Sequence, residues 1–326
     1  MSSRDPSLLS TVAVVDVAAL TAGGDAGQTS LRQATASDLG GYLWGLGAAA
    51  IWSGWWTVTS SGVAGGLSAA DLAAVRFGIA GLVLLPLAWR SRQAVTRVAP
   101  SLLLFMALGA GAPYALVAGT GVMLSSAGVG GAITVGMLPV FTLILSVLIL
   151  RERANKRVVA GIGCILVGAA CVAAGAWSAG GNRWGLLFFV VGALMWAGYT
   201  VSMRRAGLLP QTTASVVCVA SLVFYVPVWG FTGGPERLLA AVPSDLLFQV
   251  LYQSLLSAIG ALYCFGRAVE RLGATRASVF AAIVPAFSMV IAVVLLGESP
   301  STIEIIGSAL LSIGAVAAAR SRPPKG

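Results

Sequence analysis

The sequence predicts an all-α polytopic membrane protein with ten transmembrane helices, arranged as two inverted five-helix repeats. With 58% hydrophobic residues, 10% charged residues and a mean hydropathy of +0.92, the chain has too much apolar surface for a water-soluble core. A bilayer core about 30 Å thick needs roughly 20 apolar residues per helix, and the chain holds uncharged runs of that size. The strands of a β-barrel would instead alternate apolar and polar residues.

An internal repeat divides the chain into two related halves. Residues 132–161 return as residues 278–307 with a fixed shift of 146 positions, without a gap, across an apolar segment, a charged turn and the next apolar segment. The matched pairs include Pro139 and Pro285, Phe141 and Phe287, Glu152 and Glu298, and Gly161 and Gly307. Such self-similarity is typical of transporter folds built from internal repeats.

Ten apolar segments follow a polar N-terminal stretch. The predicted spans are 40–59, 70–89, 101–120, 127–150 and 158–176 in the first half, and 184–203, 212–231, 246–265, 277–296 and 303–319 in the second. We expect residues 1–38 and 320–326 to be cytosolic tails, the first of them disordered, with repeats at 40–176 and 184–319. For the N-terminal tail, a signal peptide after Arg4 and a start codon placed too far upstream remain alternatives.

Lys and Arg residues are concentrated in every second turn between the predicted spans, as ten spans require. Seventeen of the 20 fall on one side, Arg183 and Arg237 fall on the other, and Arg76 lies inside a span. Because positive charge favours the cytoplasmic side, both termini are predicted to be cytoplasmic, in a cell membrane. An odd number of helices in each repeat makes the second repeat enter the bilayer from the opposite side.

Composition also argues against several other functions. The net charge of +9 lies in the turns, so it indicates topology and not a nucleic-acid surface. The four cysteines lie in apolar runs and the chain has no histidine, so we expect no metal site and no cofactor.

Several motifs together resemble the EamA-type branch of the drug/metabolite transporter superfamily. They are the pair Arg76-Phe77 in the second span, the proline-containing spans that end in LILRE and LLGE at Glu152 and Glu298, and the Gly-rich span after the first of them. The resemblance covers about residues 40–320 and implies ten helices and export of amino acids or related small metabolites. Two positions depart from the family pattern: Arg151 replaces the usual Gly, and the seventh span, with Val217 and Cys218, has no Arg-Phe pair.

Aromatic residues near the middle of several spans are the candidate solute contacts. Trp52 and Trp55 in the first span correspond to Trp196 and Tyr199 in the sixth, so each half presents an aromatic pair at i, i+3 on one helical face. Tyr114 and Tyr263 complete the candidate ring, as the resemblance implies. Packing between helices is the alternative role, and for Tyr263 a position in the interfacial aromatic belt is favoured.

A second set of residues is predicted to shape the helices. Arg76 is expected to bond backbone carbonyls or to reach the outer face, with a substrate carboxylate as the alternative partner. Pro139 and Pro285 are predicted to kink their helices, as hinges or as static bends. Glu152 and Glu298 are expected to form turn or gate salt bridges.

These features favour a secondary transporter that exports small amino-acid-like, amphipathic or aromatic solutes by alternating access. A membrane enzyme is disfavoured because no span holds a nucleophile with a base or a pair of carboxylates, and a scaffold or receptor is disfavoured by the inverted repeat. Proton antiport and facilitated exchange both remain open, with Asp71 and Glu270 as the carboxylates that could couple to protons. A monomer and a homodimer are both compatible with the sequence.

Overall fold

The structure is a computed structural model that describes residues 24–151 and 156–319, and this part of the chain is helical with no β-strand. The first half contains α1 (Gly24–Ala64), α2 (Ala69–Arg90), α3 (Arg92–Val95), α4 (Pro100–Ala110), α5 (Ala112–Leu124), α6 (Ala127–Gly136), α7 (Leu138–Leu150) and α8 (Lys156–Ser178). The second half contains α9 (Arg183–Ala206), α10 (Pro210–Phe224), α11 (Val226–Gly230), α12 (Gly234–Ala240), α13 (Pro243–Gln249), a π-helix (Val250–Gly260), α14 (Ala261–Leu272), α15 (Ala274–Ala282), α16 (Val284–Leu296) and α17 (Thr302–Ala319).

Nine of the ten predicted spans coincide with helices that are long and apolar enough to cross a membrane. Eight stretches of the described chain meet this condition directly, and the bent pair α15 and α16 forms the ninth. The remaining predicted span, residues 40–59, lies in α1, which is rich in Gly, Ser, Thr and Trp and is not among them. The fold class is therefore confirmed, whereas the exact count of ten spans stays a prediction.

Some of the sequence predictions fall at the ends of the described chain or outside it. Helix α1 begins at Gly24, so residues 24–38 of the predicted tail have a helical backbone. Residues 1–23 and 320–326 lie outside the described residues, and so does Glu152.

The long helices of one half pack against helices of the other half. α8 packs along α17, α2 along α10, and α6 along α16. α1 packs against α14, while α9, the equivalent of α1, packs against α4 and α5. Counted as whole spans, with α6 and α7 as one and α15 and α16 as another, these pairs are the same after the two halves are exchanged, as expected for inverted repeats related by a pseudo-two-fold axis.

Four glycines allow α8 and α17 to approach very closely. A Cβ atom added at Gly168 would lie 2.7 Å from the carbonyl oxygen of Gly307, and one added at Gly307 would lie 2.7 Å from that of Gly168. Gly161 and Gly314 show the same relation, at 2.9 and 2.7 Å. The repeat makes Gly161 equivalent to Gly307 and Gly168 equivalent to Gly314. The contact between Gly168 and Gly307 is therefore repeated by the contact between Gly314 and Gly161, as expected across a two-fold axis. Only small residues permit such contact between membrane helices.

The two proline-containing spans are interrupted at equivalent positions. α6 and α7 are separated at Met137, α15 and α16 are separated at Ile283, and the proline is the second residue of the helix that follows. The second span bends by 45° between its two helices. Pro139 and Pro285 therefore both lie directly after a break in the helix, where the missing N–H of proline is tolerated.

Candidate functional site

A cavity of about 170 Å³ lies between the two halves, beside the helix breaks. Its walls come from α1, α2, α5, α6, α7, α9, the π-helix, α15 and α16, so both repeats contribute. The lining residues are Trp52, Trp55, Trp56, Arg76, Tyr114, Thr134, Val135, Leu138, Trp196, Ser257, Ala281 and Val284.

A continuous series of aromatic rings forms one wall of this cavity. Trp55 contacts Trp56 edge to face, with 4.7 Å between ring centroids, and stacks on Tyr114 at 6.4 Å. Tyr114 contacts Trp196 at 4.9 Å, and Trp196 contacts Tyr199 at 5.6 Å. Rings in such offset and edge-to-face arrangements give a rigid apolar surface that suits an apolar or aromatic group.

Four of the six aromatic residues selected from the sequence line the cavity: Trp52, Trp55, Tyr114 and Trp196. Tyr199 lies behind Trp196 and contacts its ring, but is not part of the lining. Tyr263 lies outside the cavity, with 59% of its surface exposed and its ring 5.6 Å from that of Trp44. The placement of Tyr263 in the ring is therefore wrong, because the eighth span turns this side chain outward.

Arg76 is the cation of the cavity. Its Nη1 donates a hydrogen bond of 3.0 Å to Ser257 Oγ, and its Nε is buried with no partner in the described chain. The guanidinium carbon lies 5.4 Å from the centre of the Trp55 ring and 5.6 Å from that of Phe77. The expectation that Arg76 bonds backbone carbonyls is not met, because its hydrogen bond goes to a hydroxyl on the π-helix of the other half.

The two prolines change the hydrogen bonding of backbone that lines the cavity. Because proline has no N–H, Pro139 and Pro285 donate no hydrogen bond to the carbonyls of Val135 and Ala281, four residues earlier. Val135 and Ala281 are equivalent positions of the two repeats, and both line the cavity. Backbone carbonyls at helix breaks can serve as acceptors for a ligand in membrane proteins.

The model of the EamA-like transporter family matches residues 39–174 and again residues 183–320. This chain belongs to the EamA-like transporter family. The two matches fall on the two repeats, so each repeat is one EamA unit, and the protein is a multi-pass membrane protein of a transporter family.

Curated relatives of this EamA-like protein are also transporters by name. The uncharacterized transporter YyaM of Bacillus subtilis is 26% identical over 200 residues, which cover 58% of this chain and 64% of the relative. A probable terminal-alkyne amino-acid exporter of Streptantibioticus cattleyicolor is 31% identical over 189 residues, covering 55% of this chain and 60% of the relative. Each match thus spans less than two thirds of the relative's length.

A solved crystal structure shares the fold of this EamA-like chain. The two superpose with a TM-score of 0.58 at 22% sequence identity, covering 87% of this chain and 95% of the other. At this identity the likeness shows the fold alone.

A row of buried polar side chains behind Trp55 escaped the sequence reasoning. Trp55 Nε1 donates to Gln253 Oε1 at 2.7 Å, and Gln253 Nε2 donates to Thr59 Oγ1 and Gln249 Oε1 at 3.2 and 3.3 Å. Ser257, the partner of Arg76, lies on the same π-helix. The signal was the spacing of four between polar residues 249, 253 and 257 in an apolar span, where polar residues mark functional sites. π-helical turns are likewise frequent at such sites.

Glu298 caps a helix of the other repeat. Its carboxylate accepts hydrogen bonds from the backbone N–H groups of Ala127, at 2.8 Å, and Gly128, at 3.1 Å, at the N-terminus of α6. Among the described residues the partners of Glu298 are thus N–H groups and not a cation. A carboxylate here is favoured by the helix dipole and satisfies donors that have no partner within the helix.

The two carboxylates considered for proton coupling are each paired with an arginine. Asp71 is fully buried and accepts hydrogen bonds from Arg237 Nη2 at 2.9 Å and from Trp229 Nε1 at 2.8 Å. This pairing raises the pKa of Arg237 above its usual range, so that the guanidinium stays charged. Glu270 accepts a hydrogen bond of 2.6 Å from Arg267.

The described residues hold no metal site, and a second cleft among them faces outward. No group of three or more Cys, Asp or Glu side chains there is arranged to hold a metal ion. A larger cleft of about 680 Å³ lies between α4, α7 and α9. Besides Ser101, Ser202 and Arg205, its lining is apolar and includes outward-facing side chains such as Phe105 (57% exposed) and Leu194 (44% exposed). Such exposed apolar surface on a membrane protein faces lipid.

Proposed function

We propose that this chain is a secondary transporter that exports small amino-acid-like, amphipathic or aromatic solutes by alternating access through the cavity between its repeats. The observation that carries the proposal is the aromatic wall, because Trp55 and Tyr114 from one half meet Trp196 from the other. A rocking motion of the halves would open such a cavity to one side of the membrane and then to the other.

The dimensions and chemistry of the cavity support a small solute. An apolar protein cavity of about 150 Å³ holds one benzene molecule, so a volume of about 170 Å³ suits one ring or a short aliphatic side chain. The name of the Streptantibioticus relative, an amino-acid exporter, agrees with a solute of this class.

Facilitated exchange or uniport is favoured over proton antiport. In the described chain no carboxylate lines the cavity, and Asp71 and Glu270 are both committed to arginines. Net solute flux into proteoliposomes down the solute gradient should therefore move no protons, whereas a change of internal pH that follows the solute would contradict this view.

Efflux from cells tests the cavity. Trp52→Ala and Trp196→Ala remove lining rings and should lower efflux of the solute about tenfold, the usual cost of removing a good pocket contact. Trp177→Ala is the matched control, because Trp177 is 62% exposed and lies far along α8 at its end. The amount of each variant in the membrane should match the wild type. Export at the wild-type rate by both cavity variants would contradict the proposal.

A further inference from the structure

We infer that Arg76 is the carboxylate anchor of the cavity, and that the solutes this protein binds are small carboxylic acids, amino acids included, with an apolar or aromatic side chain. This inference rests on the proposed function, since it concerns the chemistry of the same cavity. Ser257 acts as the positioning residue that holds the guanidinium.

The donors of Arg76 are mostly unused. A guanidinium carries five N–H groups, and in the described chain one of its nitrogens, Nη1, has a hydrogen-bond acceptor, Ser257 Oγ. The Nε atom is buried and has no partner. A buried donor without an acceptor is costly, so an acceptor supplied by a ligand is the expected complement.

The charge of Arg76 also lacks a counter-ion. No Asp or Glu of the described chain forms an ion pair with it, and none lines the cavity. The faces of Trp55 and Phe77 stabilise the cation only in part. An unpaired charge inside a membrane protein marks a substrate or ion pathway, and a planar guanidinium matches the two oxygens of a carboxylate.

Arg237 shows what a fully paired arginine looks like in the same molecule. Its Nε and Nη2 donate to both carboxylate oxygens of Asp71 at 2.9 to 3.2 Å, and its Nη1 donates to the carbonyl of Thr232. Arg237 joins two helices and leaves no nitrogen without an acceptor. The guanidinium of Arg76 is more enclosed than that of Arg237 and lacks such partners. This difference favours a role for Arg76 in binding a solute over a role in holding helices together.

The surroundings define the rest of the ligand. Ser257 accepts from Arg76 and has no acceptor of its own in the described chain, so its hydroxyl can donate to the same carboxylate. The rings of Trp55, Tyr114 and Trp196 lie beside this point and form an apolar wall for the side chain. The carbonyls of Val135 and Ala281 receive no hydrogen bond from Pro139 or Pro285 and accept instead from the backbone N–H groups of Met137 and Ile283. Each carbonyl oxygen has a second lone pair with which it can accept from the ammonium group of an amino acid.

Three probes that differ by one group at a time test this inference: phenylalanine, 3-phenylpropionate, which lacks the amino group, and phenethylamine, which lacks the carboxylate. Binding is measured as the shift of the thermal unfolding midpoint of the purified protein with probe concentration, since a ligand that binds only the folded state stabilises it. The wild type should bind the two acids at least tenfold more tightly than the amine.

Arg76→Gln should reduce this preference to less than twofold, mainly by weakening the binding of the acids. Arg76→Lys keeps a charge without the planar fork and should retain part of the preference, and Ser257→Ala should lower it a few-fold. Arg183→Gln, at the start of α9, is the control outside the cavity and should keep the full preference. If Arg76→Gln does not fold, the Arg76→Lys and Ser257→Ala variants still decide the matter.

The possible failures are distinguishable. Equal binding of all three probes by the wild type, or a full preference in Arg76→Lys and Ser257→Ala as well as Arg76→Gln, would overturn the role of Arg76 but leave the cavity as a binding site. Binding of none of the three by the wild type would contradict the proposed function and this inference together.

Discussion

The two repeats are alike where they pack against each other and differ in the polar side chains that they contribute to the cavity. Gly168 contacts Gly307 between α8 and α17, and the equivalent glycines Gly314 and Gly161 make the same contact. In contrast, Arg76 on α2 has no counterpart on α10, because Pro210–Phe224 contains no Lys or Arg. The π-helix with its buried polar side chains also occurs in the second repeat alone among the described helices.

This difference shows that helix packing and solute recognition place different constraints on a duplicated chain. The seam between α8 and α17 serves both halves equally, so the same small residues are needed on each side of the axis. A solute has no two-fold symmetry, so a site that recognises it uses different groups from each half. We therefore expect symmetric contacts to control stability and asymmetric ones to control recognition.

The largest loss of stability should come from enlarging a glycine of the seam. Gly168→Leu would place side-chain atoms against the backbone of Gly307 and Leu311, at 2.7 and 2.8 Å for the Cβ alone, and these atoms cannot move without separating the helices. We expect a loss of about 3 kcal/mol or more, at the upper end for overpacking. The measurement is the thermal unfolding midpoint in detergent.

Gly163→Leu on the same helix is the matched control, because a Cβ there meets nothing within 4 Å and the position is exposed. It should leave the midpoint nearly unchanged. Equal stability of the Gly168 and Gly163 variants would show that the seam is not a tight contact. It would contradict the claim that symmetric contacts control stability.

A smaller loss should follow when the paired arginine loses its carboxylate. Asp71→Asn removes the charge that accepts from Arg237 and Trp229, and it weakens the cap that Ser68 and Asp71 form at the start of α2. We expect a loss of about 2 kcal/mol, the value of hydrogen bonds to a charged group, since Arg237 is partly exposed to solvent.

Asp245→Asn provides the control, because Asp245 is exposed and, within the described chain, its carboxylate accepts a side-chain hydrogen bond only from the neighbouring Ser244. Solute binding should be retained in both variants. A loss of binding together with stability in Asp71→Asn would place this pair in the solute pathway and would remove the distinction between the two arginines.

The smallest effect should be a gain, at the position where the first repeat departs from the second. α7 ends at Arg151 with φ of 56°, and α16 ends at Gly297 with φ of 67°, both left-handed. A residue with a Cβ is strained there, so Arg151→Gly should stabilise the protein by about 1 kcal/mol, and Gly297→Ala should destabilise it by a similar amount. Changes of the same sign for both substitutions would contradict this explanation.

Much of the fold could be predicted from the sequence because it depends on local pattern. The shift of 146 residues placed Pro139 and Pro285 at equivalent breaks, and the i, i+3 spacing placed Trp52 and Trp55 on one face. Nine of the ten predicted spans coincide with helices apolar enough to cross a membrane, whereas the tenth lies in α1, in which tryptophans and small residues replace aliphatic ones.

The contacts within the candidate site were harder to predict from the sequence. Arg76 and Ser257 lie 181 positions apart, and Trp55 and Gln253 lie 198 apart, so no local pattern relates them. Their meeting depends on how each helix is rotated about its axis, and the π-helix changes that rotation for the residues that follow it. The same uncertainty applies to Tyr263, which the family resemblance placed in the candidate ring and which faces outward.

An experimental structure with bound phenylalanine would test the central claim most directly. The account predicts that the carboxylate lies within about 2.7–3.2 Å of Arg76 nitrogens, with the ring against Trp55, Tyr114 or Trp196. Phenylalanine bound instead in the cleft between α4, α7 and α9, with the cavity at Arg76 left without it, would contradict the account.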